Sequence, residues 1–216
     1  KKDNLNPEVR KNLLKIAIDL VNELKQPEIK IKDALFVGSL ANYNWSKYSD
    51  IDLHILIDFS KFKEDENFIK TFFDAQKEVY NKSHDIMIFD FPVEIYFQDV
   101  DEKLEASAIY SLKSDKWLEL PQKENPHLDM PSIKRKAKRI LDHMRDIQQD
   151  YNNEEWEKVI QKTETLRKNI KAKRQAGLES GGEYSTENLV YKVLRRTEAI
   201  DTLWDLKNGA YDHLMS

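Results

Sequence analysis

Cysteine is absent from this 216-residue chain, which removes disulfides, thiolate metal sites and cysteine nucleophiles from the chemistry open to it. No apolar run approaches the roughly 20 residues that a bilayer-spanning helix needs. The opening stretch KKDNLNPEVRKNLLKIAIDL carries charge throughout and lacks the uninterrupted apolar core of a signal peptide, so it reads as an amphipathic helix. It does not begin with Met, which leaves room for natural residues ahead of Lys1. The missing cysteine is compatible with a cytoplasmic location, which is the expectation. Five histidines, at 54, 84, 127, 143 and 213, show no metal-ligand spacing, and nothing supports a Ser/His/Asp triad. His54 reads as structural. Internal repeats and low-complexity tracts are missing too.

What is present describes a folded globular chain: four Trp, nine Tyr and nine Phe within a 40% hydrophobic composition. The length suits one generous domain or two small ones. The net charge of −4 is unevenly spread. Residues 1–130 hold 18 Lys and Arg against 25 Asp and Glu, residues 131–178 hold 13 against 7, and residues 179–216 hold 4 against 7. A basic segment beside an acidic one fits an anionic partner or, more plainly, Lys-rich helix faces in water.

Periodicity sets the elements. After Pro7, suited to a first helical turn, Val9, Leu13, Ile16, Leu20 and Leu24 recur at helical spacing until Pro27 closes the helix. KIKDALFVGS reads as a strand whose apolar end, Ala34 to Val37, runs into Gly38, and DIDLHILIDF as a second strand. Residues 61–81 read as a helix with Phe62, Phe68, Ile69, Phe72, Phe73 and Val79 on one side. Strand signals follow at 85–89 and 93–97, with an edge or a turn expected at Pro92. The stretch 106–120 fits a hairpin or a short helix. Pro121, Pro126 and Pro131 punctuate a connector. Beyond it helices are predicted over 132–151, over 153–177, and from Ser185, suited as an N-cap, to near His213. The loop LESGGEYS between the last two holds two of the five glycines. The predicted organisation is an α+β N-terminal half and an all-helical C-terminal half.

Within VGSLANYNWSKYSDIDLHILID, residues 37–58, Asp50 and Asp52 interrupt an apolar run. Side chains alternate along a strand, so the two point the same way, about 7 Å apart at the usual rise, while Ile51 and Leu53 face the core. Two carboxylates held that close in a partly dry site repel each other. A hard divalent cation such as Mg²⁺ is the simplest compensation, and two ions about 3.5–4 Å apart would make a phosphoryl-transfer clamp. A third acid is expected from a neighbouring strand. Glu94, between Val93 and Ile95, fits; its competitor Asp90, just ahead of Phe91-Pro92, reads as a turn acid. Gly38 followed by Ser39 lets backbone N–H groups approach a phosphate, the more so if a helix opens at Ser39. An isolated Asp-x-Asp is more often a strand exit with its acids in water. The flanking apolar residues and the upstream Gly-Ser tip this one inward.

Gly38-Ser39-x-Ala41, then Ser49-Asp50-Ile51-Asp52-Leu53, then Val93-Glu94-Ile95 resembles the ordered signature of the nucleotidyltransferase superfamily typified by DNA polymerase beta: hG[GS], a loop, [DE]h[DE]h, and h[DE]h on a later strand. The match spans residues 34–97, less than half of the chain. The resemblance implies a mixed β-sheet nucleotidyltransferase core with helices on one side; joined to the periodicity above, the expected organisation is an α+β fold with that catalytic domain over residues 1–125 and an all-helical C-terminal bundle over 126–216. The resemblance also implies two Mg²⁺ ions, with Mn²⁺ as a substitute. The implied reaction moves an NMP from an NTP, ATP by family preference, to an acceptor hydroxyl and releases pyrophosphate. Asp50, Asp52 and Glu94 become the catalytic metal ligands. Asp50 and Asp52 go to the ion that grips the triphosphate; Asp52 and Glu94 go to the ion that activates the acceptor, with Glu94 also placed to accept its proton. Gly38 and Ser39 become nucleotide-binding residues. Leu40 departs from small bacterial relatives, which often carry a basic residue there, so a side-chain phosphate contact from that position is in doubt.

Acceptor specificity is expected in the C-terminal helices. Lys192, Arg195 and Arg196, within GGEYSTENLVYKVLRR (residues 181–196), share parts of one helix face and are expected to join the nucleotide or acceptor site. The cluster Lys134, Arg135, Lys136, Lys138 and Arg139 fits a phosphate-backbone contact or a wet face. Tyr43, Trp45 and Tyr48 fit base stacking or plain anchoring of their loop. The acceptor is open among a small molecule, a protein side chain and an RNA end, and basic helices argue mildly against cationic aminoglycosides. No membrane partner is expected. Two rivals stand beside the enzyme: a non-catalytic binding or antitoxin-like module on the same fold, and an RNA-binding protein using its basic helices.

Overall fold

The computed structural model describes residues 4–104, 106–123 and 126–216. They fall into two compact units, divided between residues 124 and 125. The domain boundary expected at 125/126 meets residue 125, outside the described residues.

The first unit carries α1 (Pro7–Glu23), β1 (Ile31–Val37), β2 (Ile51–Ile57), α2 (Glu66–Ser83), β3 (Met87–Ile88), β4 (Phe91–Asp99), β5 (Ile109–Ser111) and β6 (Lys116–Glu119). Its strands form one sheet in the order β3-β4-β2-β1-β5-β6. The β2–β4 pair is parallel and the other pairs antiparallel, so the sheet is mixed. The stretch 106–120 is thereby settled as the β5–β6 hairpin.

Local chemistry accounts for these elements. Asn6 caps α1 by accepting from the Glu8 amide (2.8 Å), with Pro7 in the first turn. The α1 residues Leu13, Ala17 and Leu20 are buried at helical spacing. Along β2, Ile51, Leu53, Ile55 and Ile57 are buried and the residues between them half-buried, the strict alternation of a strand with one core-facing side. These residues share a single core with α1 and α2, which places both helices on one face of the sheet. In α2 the buried stripe is Ile69, Phe73 and Tyr80. Phe68 and Val79, expected inward, are 60% and 64% exposed, because each sits one residue, about 100° of turn, away from a buried position.

β3 pairs with only Phe91 and Pro92 of β4, and the Val93 amide donates to the Ile86 carbonyl just ahead of β3 (2.9 Å), which would leave the edge beyond Val93 open. Asn81 of α2 covers it at Ile95, donating to the carbonyl and accepting from the amide at 3.1 Å each. Pro92 lies just ahead of the parallel ladder with β2, which starts at Val93, so its missing N–H takes no bond from β2. Asp90 is in the β3–β4 turn, as expected, with φ of 64° beside Phe89 at 47°, the double left-handed conformation of a two-residue hairpin turn.

The second unit holds α3 (Met130–Asn152), α4 (Trp156–Gly181), α5 (Thr186–Arg196) and α6 (Ala199–Met215) around its own apolar core. Asp129 caps α3 through the Ser132 amide at 3.0 Å, and Pro131 belongs to the first turn of that helix rather than to the connector. Ser185 caps α5 through Asn188. The single helix expected from Ser185 to His213 is two, broken where Glu198 adopts a left-handed φ of 57°. Asp150, buried near the end of α3, accepts from Lys158 of α4 (2.7 Å) and from Lys162, tying the two helices together. Among the described residues no helix is long and apolar enough to cross a membrane.

Candidate metal centre

Strand register builds the site. Asp52 lies opposite Val37 in the β1–β2 pair and opposite Glu94 in the parallel β2–β4 pair. Neighbouring strands are about 4.8 Å apart, so Asp52 and Glu94 stand side by side on the face turned away from α1 and α2. Asp50 arrives differently. Expected on the strand two residues before Asp52, it precedes β2, which starts at Ile51, and is buried at 8% exposure. One carboxylate oxygen from each of Asp50, Asp52 and Glu94 lies within 4.8 Å of the others.

The backbone around the acids is fitted to them. Gly38 ends β1 with a φ of +79°, and a Cβ placed there would fall 1.7 Å from Asp52 Oδ2. Only glycine meets both conditions. No helix opens at Ser39; it starts a turn closed by the Asn42 amide donating to the Ser39 carbonyl (3.2 Å). The Ser39 hydroxyl donates to that of buried Ser49 (2.8 Å), which also accepts from the Ser46 amide (2.9 Å). Ser39 and Ser49 therefore pin the two ends of the loop that delivers Asp50. Buried Asn42 adds a bond from its amide group to the Ser107 hydroxyl (2.7 Å).

A polar row continues behind the acids on the same face. The Tyr96 hydroxyl donates to Glu94 Oε2 at 2.7 Å. Burial, then the charge and hydrogen bond of Glu94 and the charges of Asp52 and Asp50, push that hydroxyl far up from its ordinary range, so it stays a donor. The His54 ring, register partner of Tyr96, stacks on it with centroids 4.9 Å apart. Lys77 Nζ stands 5.0 Å from the Tyr96 ring centre. Gln98 donates from Nε2 to the Glu102 carbonyl (3.1 Å), which leaves Oε1 to accept from His54 Nδ1 at 2.8 Å. Burial holds the His54 pKa below its ordinary value against the opposing Gln98 bond. His54 is thus a packed, neutral ring, the structural role expected for it.

Sequence reasoning missed Tyr96. The signal lay in the alternation of Val93-Glu94-Ile95-Tyr96, which puts Tyr96 on the Glu94 face. Tyr43, Trp45 and Tyr48 are exposed, and Trp45 meets Phe91 edge-on at 6.2 Å. Lys192, Arg195 and Arg196 are on α5 in the second unit, the two arginines in its last turn, where cations suit the helix dipole. In the α3 cluster, Lys136 is paired with Glu187 of α5, and Lys134, Arg135, Lys138 and Arg139 are exposed.

The three acids offer an all-oxygen, anionic donor set, the chemistry that suits a hard divalent cation. No family model matches the chain, and no curated protein matches it. Among solved structures, a STING-associated CdnE c-di-GMP synthase from Capnocytophaga granulosa is similar over 98% of this chain and 85% of its own, at 11% identity and a TM-score of 0.27.

Proposed function

We propose that the protein is a metal-dependent nucleotidyltransferase of the DNA polymerase beta type, moving an NMP from an NTP to an acceptor hydroxyl. The observation that carries this is the convergence of Asp50, Asp52 and Glu94 beside a glycine whose missing side chain makes room for Asp52. The residues fit Mg²⁺ or Mn²⁺: Asp50 and Asp52 would hold one ion, Asp52 and Glu94 a second. Bound there, the ions supply Lewis-acid neutralisation of the phosphoryl oxygens and a more acidic acceptor hydroxyl.

The chain's own residues do the rest. Gly38 presents bare backbone to a phosphate, and the Ser39–Ser49 bond holds that backbone and Asp50 in one frame. Glu94 would accept the acceptor's proton. Fixed placement of these groups lowers the barrier by paying orientation entropy in advance. Lys192, Arg195 and Arg196 complete the proposal as nucleotide contacts, with ATP as the donor and a cytoplasmic setting. The acceptor is a small molecule, a protein side chain or an RNA end.

The test is transfer of label from NTPs carrying ³²P at the α or the γ position, with Mg²⁺ or Mn²⁺ and a cell extract as the acceptor source. Transfer of α label alone is expected, because the β and γ phosphates leave as pyrophosphate. Asp50→Asn and Asp52→Asn should each abolish it. Unchanged transfer in both variants would overturn the assignment. Metal and nucleotide binding without turnover would point to the non-catalytic module, and salt-sensitive RNA binding without turnover to the RNA-binding protein.

A further inference from the structure

We infer that Tyr96 is a positioning residue that sets the metal affinity of the acidic cluster by orienting Glu94; this rests on the metal-site reading proposed above. Its hydroxyl donates to Glu94 Oε2 at 2.7 Å from two residues further along β4. Residues two apart on a strand share a face about 7 Å apart at the backbone, and their polar ends meet only when something draws them together. The hydrogen bond does so here, fixing rotation of the Glu94 carboxylate about its terminal bond and hence where both oxygens point.

The phenol ring is itself held by two neighbours. Its ring stacks on His54 across the β2–β4 register at 4.9 Å, and Lys77 stands 5.0 Å from its centre. His54 is in turn bonded to buried Gln98 at 2.8 Å. A ligand such as Glu94 on a long side chain has more rotamers to lose on binding than Asp52. It is therefore the acid that gains most from a preset orientation. Outer partners of metal-binding carboxylates typically change affinity by about 10–100-fold when removed. No covalent or proton-transfer step by Tyr96 is involved.

The experiment is Mn²⁺ titration of the full chain, followed by electron paramagnetic resonance, on wild type, Tyr96→Phe, Glu94→Gln and the double variant. Phenylalanine keeps the ring and its stack on His54 and removes only the hydroxyl. The expected result is Mn²⁺ binding about 10–100-fold weaker in Tyr96→Phe, with an unfolding midpoint within a few degrees of wild type. If Tyr96 acts through Glu94, the same substitution made in the Glu94→Gln background should change affinity little further. Wild type that binds Mn²⁺ while Tyr96→Phe binds equally well overturns the role of Tyr96 and leaves the metal site standing. Equal losses in both backgrounds, or a Tyr96→Phe chain that no longer folds, also overturn it by making Tyr96 a general packing residue. Wild type that takes up no Mn²⁺ overturns the metal site itself, and this inference with it.

Discussion

Gly38 and Asp52 share a space that admits only one side chain: a Cβ on residue 38 would fall 1.7 Å from Asp52 Oδ2. The pairing across β1 and β2 sets this approach, since Val37 is the register partner of Asp52. A glycine that looks like a simple strand end is therefore part of the geometry that lets the carboxylate face the other acids.

Gly38→Ala is expected to damage the site more than the fold. A left-handed backbone costs alanine about 1–2 kcal/mol, and the clash is relieved only by displacing the Asp52 carboxylate. The expected outcome is a modestly lower unfolding midpoint together with loss of Mn²⁺ uptake. Thermal melts and a metal titration on the same sample check both parts.

Metal should stabilise the wild type and not its neutralised variant. An ion that binds only the folded chain adds about 2.7 kcal/mol at 100 times its dissociation constant. Asp52→Asn removes one of the clustered carboxylate charges along with a proposed ligand. Its melting temperature without metal is expected to equal or exceed that of wild type, and to be insensitive to added Mg²⁺. Melts with and without Mg²⁺ read this directly.

The sheet and the acids were legible because their signals are local. Ile51, Leu53, Ile55 and Ile57 alternate without a fault, and the nearby Pro92 marked Asp90, apolar-flanked like Glu94, as the turn acid. What escaped depends on partners distant in sequence or on side-chain conformation. Ser39 begins a turn rather than a helix because its hydroxyl is tied to Ser49, ten residues on. Asp50 sits ahead of the strand, an offset of one residue that periodicity does not resolve. Tyr96 was overlooked because an aromatic in an apolar strand looks like core until its hydroxyl is seen on Glu94. The break between α5 and α6 occurs at Arg196-Thr197-Glu198-Ala199, with no Gly or Pro to announce it.

That break makes a prediction of its own. Glu198 pays a left-handed penalty at φ 57°, roughly 1–2 kcal/mol for a residue with a Cβ. Glycine would remove the penalty and lose about 0.5–1 kcal/mol to the greater freedom of its unfolded chain. Glu198→Gly is therefore expected to stabilise the chain by about 0.5 kcal/mol net, as read by urea unfolding.

Asp150 should give the helical unit an acid-sensitive clamp. Hydrogen bonds from Lys158 and Lys162 hold its carboxyl below the usual range, and the bonds of Lys158 to Asp150 and Glu155 push that lysine up to about 12. A depressed carboxyl contributes stability that is fully present above its unfolded value, about 4, and is lost as pH falls through the folded value. Asp150→Asn should therefore lower the unfolding midpoint at pH 7, and the gap from wild type should close below about pH 4. Denaturant melts across that range follow the gap.

The most direct measurement is a crystal grown with Mn²⁺ and a non-hydrolysable ATP analogue, examined by anomalous scattering. The expected result is metal density ligated by Asp50, Asp52 and Glu94, with the triphosphate on the Gly38-Ser39 backbone. An ordered nucleotide elsewhere, or the three acids without a cation and Glu94 turned from Asp52, would contradict it.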